Sequence, residues 1–157
     1  MQNLILLSFI FSETWPPTFD LFAASALNNP KIDFMIISNL LKFEYEIPFE
    51  NLKLYTISYP ELNKILKSRL DPKFLISENF PYKLCDLKPM FGEVFDFIIA
   101  NYTFWGHVDN DVVLGNLLDK DFFSDELFTN NDIVSSSSSM CNGPLQIYRN
   151  VPIVNKL

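Results

Sequence analysis

Two acidic side chains two residues apart, Asp109 and Asp111, have the type and spacing of ligands for a divalent cation. They follow an aromatic-rich run, residues 97–104, which predicts a buried strand. Alternate side chains of an extended chain point to the same side, so both carboxylates can reach one ion. Mg²⁺ and Mn²⁺ suit oxygen ligands, and Mg²⁺ usually takes one or two carboxylates together with substrate phosphates. The pattern predicts a cation that contacts the diphosphate of a nucleotide.

The same Asp-x-Asp spacing is also common in solvated turns, where Asp side chains bond to the nearby backbone. By itself the motif favours the turn, and the buried strand before it strengthens the case for a cation site. His107, the one histidine of the chain, shares a predicted strand face with Trp105 and Asp109. It can reach a bound ligand or metal, but we favour a hydrogen-bonded structural role. Trp105 is predicted to lie in the core.

A second candidate segment, Pro-Tyr-Lys-Leu-Cys-Asp-Leu-Lys-Pro at residues 81–89, carries two lysines around an aspartate. Lys83 and Lys88 can contact phosphate oxygens as point charges, and Asp86 can orient a lysine or bond a sugar hydroxyl. The alternative is a polar helix start, with Asp86 favourable in the first turn. Cys85 has no nearby base and is predicted to be a buried small side chain. For Arg149, a surface salt bridge is favoured over a phosphate contact.

The composition predicts a single globular domain over residues 1–157 with a core rich in aromatic side chains. The chain has 157 residues, 16 of them Phe, which is long enough for a substantial core. The net charge of −7 excludes a basic surface for nucleic acid. An acidic protein that binds an anionic nucleotide needs local positive charge, which the two lysines and a cation at the aspartate pair would supply.

The cysteines and apolar runs predict a cytoplasmic protein without a transmembrane segment. Cys85 and Cys141 have neither metal-ligand spacing nor a disulfide framework, which favours a reducing compartment. The apolar start, residues 3–11, has no preceding Lys or Arg and no small-residue cleavage site, so a buried strand is favoured over a signal segment. No apolar run reaches the length of a membrane span.

Apolar strands that alternate with helices predict an α/β fold with a mostly parallel sheet. In such sheets ligands bind beyond the carboxyl ends of the strands, so Phe11, Asn39 and the aspartate pair should meet at one edge. The serine run at 135–139 is predicted to be mobile. The predicted strands are 3–11, 32–37, 52–57, 102–108, 145–148 and an edge at 132–134; the predicted helices are 19–27, 58–70, 83–100 with an interruption near Pro89, and 119–128.

Several motifs also follow one another in a recognisable order. They are an apolar strand before Trp-Pro-Pro (15–17), a strand ending in Ser-Asn (38–39), residues 82–89, residues 104–111, then Gly143 and Tyr-Arg-Asn (148–150). In this combination the chain resembles a glycosyltransferase-like family of bacterial and viral proteins linked to polysaccharide synthesis. The resemblance covers nearly the whole chain. It implies a GT-A-type fold, which is a Rossmann-type three-layer α/β/α sandwich with a mostly parallel sheet.

The resemblance implies a sugar transfer from a nucleotide-diphosphate-sugar donor to a glycan acceptor. It places Mn²⁺ or Mg²⁺ at Asp109 and Asp111, of which Asp109 also contacts the donor. The other donor-binding residues that it implies are Phe11, Asn39, Lys83, Asp86 and Lys88.

The chain also departs from the pattern of that family. GT-A enzymes are commonly longer, and many use a late histidine as a metal ligand, whereas no histidine follows His107. The chain is therefore also compatible with a fragment of a longer protein, or with a non-catalytic nucleotide-sugar-binding domain. A phosphohydrolase is a third alternative. No catalytic base is assigned, and Asp125 and Asp132 are candidates only because they are acidic and downstream.

Overall fold

A six-stranded mixed sheet organises the computed structural model, which describes residues 3–43, 50–119, 123–136 and 143–156. The strand order is β3-β2-β1-β4-β6-β5. Strand β1 pairs in parallel with β2 and β4, and β2 with β3, whereas β6 is antiparallel to both β4 and β5. The predicted α/β fold with a mostly parallel sheet is therefore confirmed. The strands are β1 (Leu4–Ile10), β2 (Ile32–Ser38), β3 (Leu52–Thr56), β4 (Phe104–Val108), β5 (Ile133–Ser135) and β6 (Leu145–Arg149).

The helices match the sequence prediction best where a local signal marks their ends. Helix α2 begins with a capping box, in which the Ser58 side chain accepts from the Glu61 backbone and Glu61 bonds back to Ser58. Within the described residues, no helix is both long enough and apolar enough to span a membrane. The helices are α1 (Phe19–Leu27), α2 (Tyr59–Arg69), a 3₁₀ helix (Pro81–Met90), α3 (Phe91–Val94), α4 (Asp96–Ile99), α5 (Asp125–Asn130) and α6 (Pro152–Asn155).

Strand β1 is central because its side chains are apolar on both faces. Leu4 and Leu6 pack into one core with Phe22 of α1. Ile5 and Leu7 pack into a second core with α2, the 3₁₀ helix and α3. Helices therefore cover both faces of the sheet. The continuous apolar run of β1 predicts this, because such a run is typical of a strand that is buried on both faces.

The predicted helix at 83–100 with an interruption near Pro89 is confirmed in part, because the segment is helical but consists of a 3₁₀ helix followed by two short α-helices. Pro89 has no backbone N–H to donate, which weakens an α-helical ladder at this point. The predicted strand at 97–104 is wrong, since it would include residues 97–99, which lie in α4. The Asn150 side chain donates to the carbonyls of Ile99 and Tyr102, both at 2.8 Å, and stabilises the turn into β4.

Two other predictions touch residues that the structure does not describe. The helix predicted at 119–128 begins at Asp125, where the Ser124 side chain accepts from the Leu127 backbone as an N-cap. Residues 120–122 lie outside the described residues, as do Cys141 and serines 137–139 of the serine run. Ser135 belongs to β5.

Gly106 in β4 allows the close approach of β6, and its substitution should destabilise the fold. A Cβ at this position would lie 2.3 Å from the backbone oxygen of Gln146 and 2.8 Å from the Leu6 side chain. We expect Gly106→Ala to lower the free energy of unfolding by about 2 kcal/mol, measured by urea denaturation. Gly115→Ala is the matched control, because a Cβ there has no neighbour within 4 Å. Equal stability of the two variants would contradict this role.

Candidate active site

A cavity of about 560 Å³ opens at the carboxyl ends of β1 and β4. The strand order reverses between these two strands, because β2 and β3 lie on one side of β1 and β4 lies on the other. Chain segments that leave a sheet at such a switch point diverge and leave a crevice, which is where α/β sheets bind ligands. Strand β1, the 3₁₀ helix and the turn after β4 all contribute side chains to the cavity wall.

Asp109 and Asp111 both line this cavity, although not for the predicted reason. Strand β4 ends at Val108, and the aspartates lie in the turn that follows rather than on one side of an extended chain. The Asp109 backbone N–H donates to the Pro144 carbonyl at 2.8 Å. The Asn110 side chain donates to the Phe9 carbonyl at 2.8 Å. These bonds fix the turn against β1 and β6, so both carboxylates remain at the cavity.

Lys88 of the 3₁₀ helix forms an ion pair with Asp109 inside the cavity wall. Its Nζ donates to Asp109 Oδ1, and both side chains are partly buried, with exposures of 23% and 33%. A partly shielded pair is screened less than a surface pair. The ion pair links the two segments that the sequence singled out and brings one positive charge into the cavity of an acidic chain.

Three residues per turn explain which side chains of the 3₁₀ helix reach the cavity. Tyr82, Cys85 and Lys88 are three residues apart and all line it, and Pro81 and Leu84, also three apart, line it from the neighbouring face. Lys83 and Asp86 lie on another face, where they are exposed and outside the cavity wall. The α-helical period assumed from the sequence, about 3.6 residues per turn, would instead place Asp86 close to the face of Tyr82. Cys85 is exposed at the cavity, so its predicted burial is wrong.

Asn39, Phe11 and Arg149 have separate roles in the structure. The Asn39 amide bonds both the backbone N–H and the carbonyl of Ser12 at 3.0 Å, so it joins the ends of β1 and β2 and does not line the cavity. Phe11 does line it. Arg149 pairs with Asp132 at 2.7 Å, which confirms the predicted salt bridge. Neither Asp132 nor Asp125 lies in the cavity wall.

Aromatic side chains form much of the remaining wall, and sequence reasoning missed most of them. Phe9 packs on Phe91 with ring centroids 4.5 Å apart and lies 5.9 Å from the ring of Phe11. Phe80 and Tyr82 line the cavity while being 56% and 74% exposed. Large aromatic rings that remain exposed at a cavity are a usual feature of ligand sites. The Phe-Pro-Tyr sequence at 80–82 is the only local signal for them.

His107 lines the cavity and is 3% exposed. Its Nε2 is 3.3 Å from Oε1 of Gln146, its register partner on β6. Burial, and then the charge of Lys88, lower the pKa of His107 to about 4. The histidine is therefore neutral at neutral pH. Its Nδ1 has no hydrogen-bond partner within the described residues.

A model for a family of unknown function, DUF6625, matches residues 8–157. The chain belongs to the DUF6625 family. A comparison with curated proteins finds no match. The matched range of DUF6625 contains Lys88, His107, Asp109 and Asp111, so the polar part of the cavity lies inside the family region.

Asp109 and Asp111 are the two carboxylates in the described wall of this DUF6625 cavity. No group of three or more His, Cys, Asp or Glu side chains within the described residues is placed to hold a metal. Two carboxylates with further oxygens from phosphate and water match the usual coordination of Mg²⁺. Asp109 and Asp111 would hold the ion, while Lys88 supplies a point charge for phosphate.

The lowered pKa of His107 predicts a pH-dependent stability of the DUF6625 chain. The folded-state pKa of about 4 lies below the ordinary 6.5, so the contribution is complete above pH 6.5 and is lost as pH falls towards 4. Between about pH 7 and about pH 5.5, the wild type should lose about 1 kcal/mol more free energy of unfolding than His107→Gln. Urea denaturation at both pH values measures this difference. Parallel losses in the two proteins would refute the shift.

Proposed function

We propose that the chain is a metal-dependent glycosyltransferase domain of the GT-A type, which transfers a sugar from a nucleotide-diphosphate-sugar donor to a glycan hydroxyl. One observation carries the proposal: Asp109, Asp111 and Lys88 meet in one cavity at the switch point of a mostly parallel sheet. The motif resemblance over residues 104–111 and 82–89 supports the same class of ligand.

The sheet is compatible with the proposed GT-A-type fold. Strands β3, β2, β1 and β4 follow the order of a dinucleotide-binding sheet, and helices cover both faces. The antiparallel β6 then lies beside β4 and extends the sheet on the side of the aspartates. Such a sheet presents the ends of β1 and β4 to a nucleotide.

The size and lining of the cavity also suit a nucleotide sugar. A volume of about 560 Å³ lies within the usual range for small-molecule sites. The Phe9, Phe11 and Tyr82 rings offer flat apolar surface to a base, whereas the aspartate pair and Lys88 offer charge to a diphosphate. One cavity thus offers both apolar rings and charged side chains, as a ligand with a flat base and an anionic centre requires.

The ion pair between Lys88 and Asp109 suggests how the cavity changes partners on binding. When present, the divalent ion would stabilise the negative charge that develops on the departing diphosphate. Asp109 would then exchange its bond with Lys88 for a bond to the ion. Lys88 Nζ would then be free to donate to a phosphate oxygen. In the transfer, the acceptor oxygen would bond to the anomeric carbon and the bond from that carbon to the phosphate oxygen would break. The electron pair of the broken bond would leave with the diphosphate, and the proton of the acceptor hydroxyl would pass to a diphosphate oxygen or to water.

A non-catalytic nucleotide-sugar-binding domain is the second candidate. Apart from Asp109 and Asp111, no carboxylate lies in the described wall of the cavity. A transferase that inverts the anomeric centre needs a base for the acceptor proton, and both of these carboxylates are assigned to the ion. A domain that binds the donor without turnover needs no such base.

Sugar release distinguishes the two candidates. A thermal-shift panel of nucleotide sugars with Mn²⁺ identifies the donor, because a ligand that binds the folded state raises the melting temperature. We expect the best donor to release free sugar slowly in the presence of the protein and Mn²⁺. Binding without release would favour the binding domain. A panel in which no nucleotide raises the melting temperature would overturn both candidates.

Asp111→Ala tests the cation site directly. We expect at least a tenfold loss of Mn²⁺-dependent nucleotide affinity by calorimetry, because one of two carboxylate ligands is removed. Asp111 is exposed in a turn, so the fold should persist. Asp86→Ala is the matched control, since Asp86 is exposed and lies outside the cavity wall. Unchanged affinity of Asp111→Ala would refute the assigned role.

Lys88→Met should change metal and nucleotide affinity in opposite directions. Without nucleotide, Mn²⁺ should bind about threefold or more tightly, because Asp109 no longer pairs with the lysine. The affinity for nucleoside diphosphate at saturating Mn²⁺ should fall several-fold, because a phosphate contact is lost. Lys83→Met, on the solvent face of the same helix, is the control. A decrease in both affinities would contradict the exchange of partners.

A further inference from the structure

Helix α2 and the loop after it form a local basic region in an acidic chain. Residues 62–76 contain four basic residues and one acidic residue, which gives a net charge of +3. The other 142 residues contain eight basic and 18 acidic residues, which gives a net charge of −10. An anionic partner is therefore attracted to this region and repelled by the charge of the remaining chain.

Three lysines of this region are exposed and have no acidic partner in the described part of the chain. They are Lys64, Lys67 and Lys73, and none of them belongs to an ion pair with another described residue. The fourth basic residue, Arg69, pairs with Asp96 at 2.8 Å. The three ammonium groups are thus available to an anion outside the protein.

An exposed leucine lies beside two of these lysines. Lys64 and Lys67 are three residues apart and are neighbours on one face of α2. The Asn63 side chain donates to the Ile76 carbonyl at 2.9 Å and accepts from the Ile76 N–H at 2.7 Å, which fixes the loop along the helix. Leu75 consequently lines the same open groove as both lysines, and it is 63% exposed.

Unpaired lysines around an exposed leucine fit the surface of a bilayer that contains anionic lipid. Lysine ammonium groups reach lipid phosphates while their methylene groups lie on apolar surface, and an exposed apolar side chain enters the boundary of the acyl layer. The apolar face of α2, with Leu62 and Leu66, is buried in the second core, so the contact is peripheral. A nucleic acid offers the same phosphates but no apolar layer for Leu75. A planar bilayer also contacts one face of the protein, which suits a chain that is acidic elsewhere.

We infer that the α2 surface, which consists of Lys64, Lys67, Lys73 and Leu75, docks the chain on an anionic phospholipid bilayer. The α2 surface shares no residue with the described wall of the candidate active site, so the inference does not rest on the proposed function. Each lysine near an anionic bilayer strengthens binding about fivefold. Docking by three lysines and one leucine is therefore weak and reversible, and it is sensitive to salt.

Vesicle co-sedimentation of the wild-type chain tests the docking in the absence of any nucleotide. The probes are vesicles of phosphatidylcholine alone and vesicles that contain about one third phosphatidylglycerol. We expect binding to the anionic vesicles at low salt and none to the neutral vesicles. The bound protein should be released as the salt concentration rises to about 0.5 M, because screening then shortens the reach of each charge.

The double variant Lys64→Gln/Lys67→Gln should bind the anionic vesicles at least tenfold more weakly, because two of the three lysines are removed. Lys31→Gln/Lys42→Gln is the matched control. It changes the net charge by the same amount, at exposed lysines that precede and follow β2 and lie outside the α2 grooves. The control should bind like the wild type.

Leu75→Ser tests the apolar part of the contact. We expect binding to the anionic vesicles to fall severalfold, because less apolar surface leaves water on docking. Leu21→Ser is the matched control, since Leu21 is 61% exposed and lies on α1, whose buried residues pack into the other core. All of these positions are exposed, so the melting temperatures should match that of the wild type.

Equal binding to both kinds of vesicle, or binding to neither, would overturn the inference. An equal loss in the two lysine pairs would also overturn it, because net charge rather than the α2 surface would then decide binding. Unchanged binding of Leu75→Ser would exclude the contact with the acyl layer. A fluorescent DNA duplex is titrated in parallel, and a duplex that binds through Lys64 and Lys67 while anionic vesicles do not would assign the α2 surface to nucleic acid instead.

Discussion

The pairing of β1 with both β2 and β4 is the constraint on which the candidate site depends. These three strands run in parallel, so their carboxyl ends meet at one edge of the sheet. The apolar side chains of β1 alternate between two cores, and this burial on both faces holds the strand at the centre. Because β2 lies on one side of β1 and β4 on the other, the cavity opens at the carboxyl ends of β1 and β4, where the Asp109 turn begins.

One of the two carboxylates of the cavity wall is held in an ion pair. Lys88 neutralises Asp109 within the wall, and His107 remains uncharged because burial and the nearby lysine both disfavour its protonation. Lys88 offsets one of the two negative charges of Asp109 and Asp111, so the charge that remains to repel a nucleotide is that of one carboxylate. The ion pair also joins the 3₁₀ helix to the turn after β4. It therefore contributes to the shape of the cavity as well as to its charge.

The 3₁₀ helix and β6 complete the cavity through contacts distant in sequence. One face of the 3₁₀ helix carries Leu84 and Leu87 into the core, while the face with Lys88 reaches the cavity. Strand β6 runs antiparallel to β4 and places Gln146 opposite His107. Gly106 permits this approach, because any side chain at that position would meet the β6 backbone. The partner of His107 Nε2 is therefore supplied by a strand that lies 39 residues away in sequence.

The sequence by itself determined the elements whose signals are local. The bounds of α1 and the capping box of α2 follow from residues within one or two turns, and the apolar runs predict β1, β2 and β4 because burial on both faces requires them. The same runs, read as parallel strands, predict the edge where Asp109 and Asp111 lie. These features are set by neighbouring residues and need no knowledge of what packs against them.

Only the tertiary structure decided which polar side chains meet. A polar segment with two prolines carries no clear period, so the sequence could not distinguish the 3₁₀ face of Lys88 from that of Lys83 and Asp86. The position of Asn39 at the end of β2 suggests a ligand-binding residue, but its side-chain amide forms hydrogen bonds with the backbone of Ser12. The pairing of His107 with Gln146 depends on the direction of β6, which is set by sheet packing rather than by local propensity. The apolar pattern of a strand or helix indicates which of its faces is buried. The hydrogen-bond partners of a buried polar atom depend instead on contacts between segments that are distant in sequence.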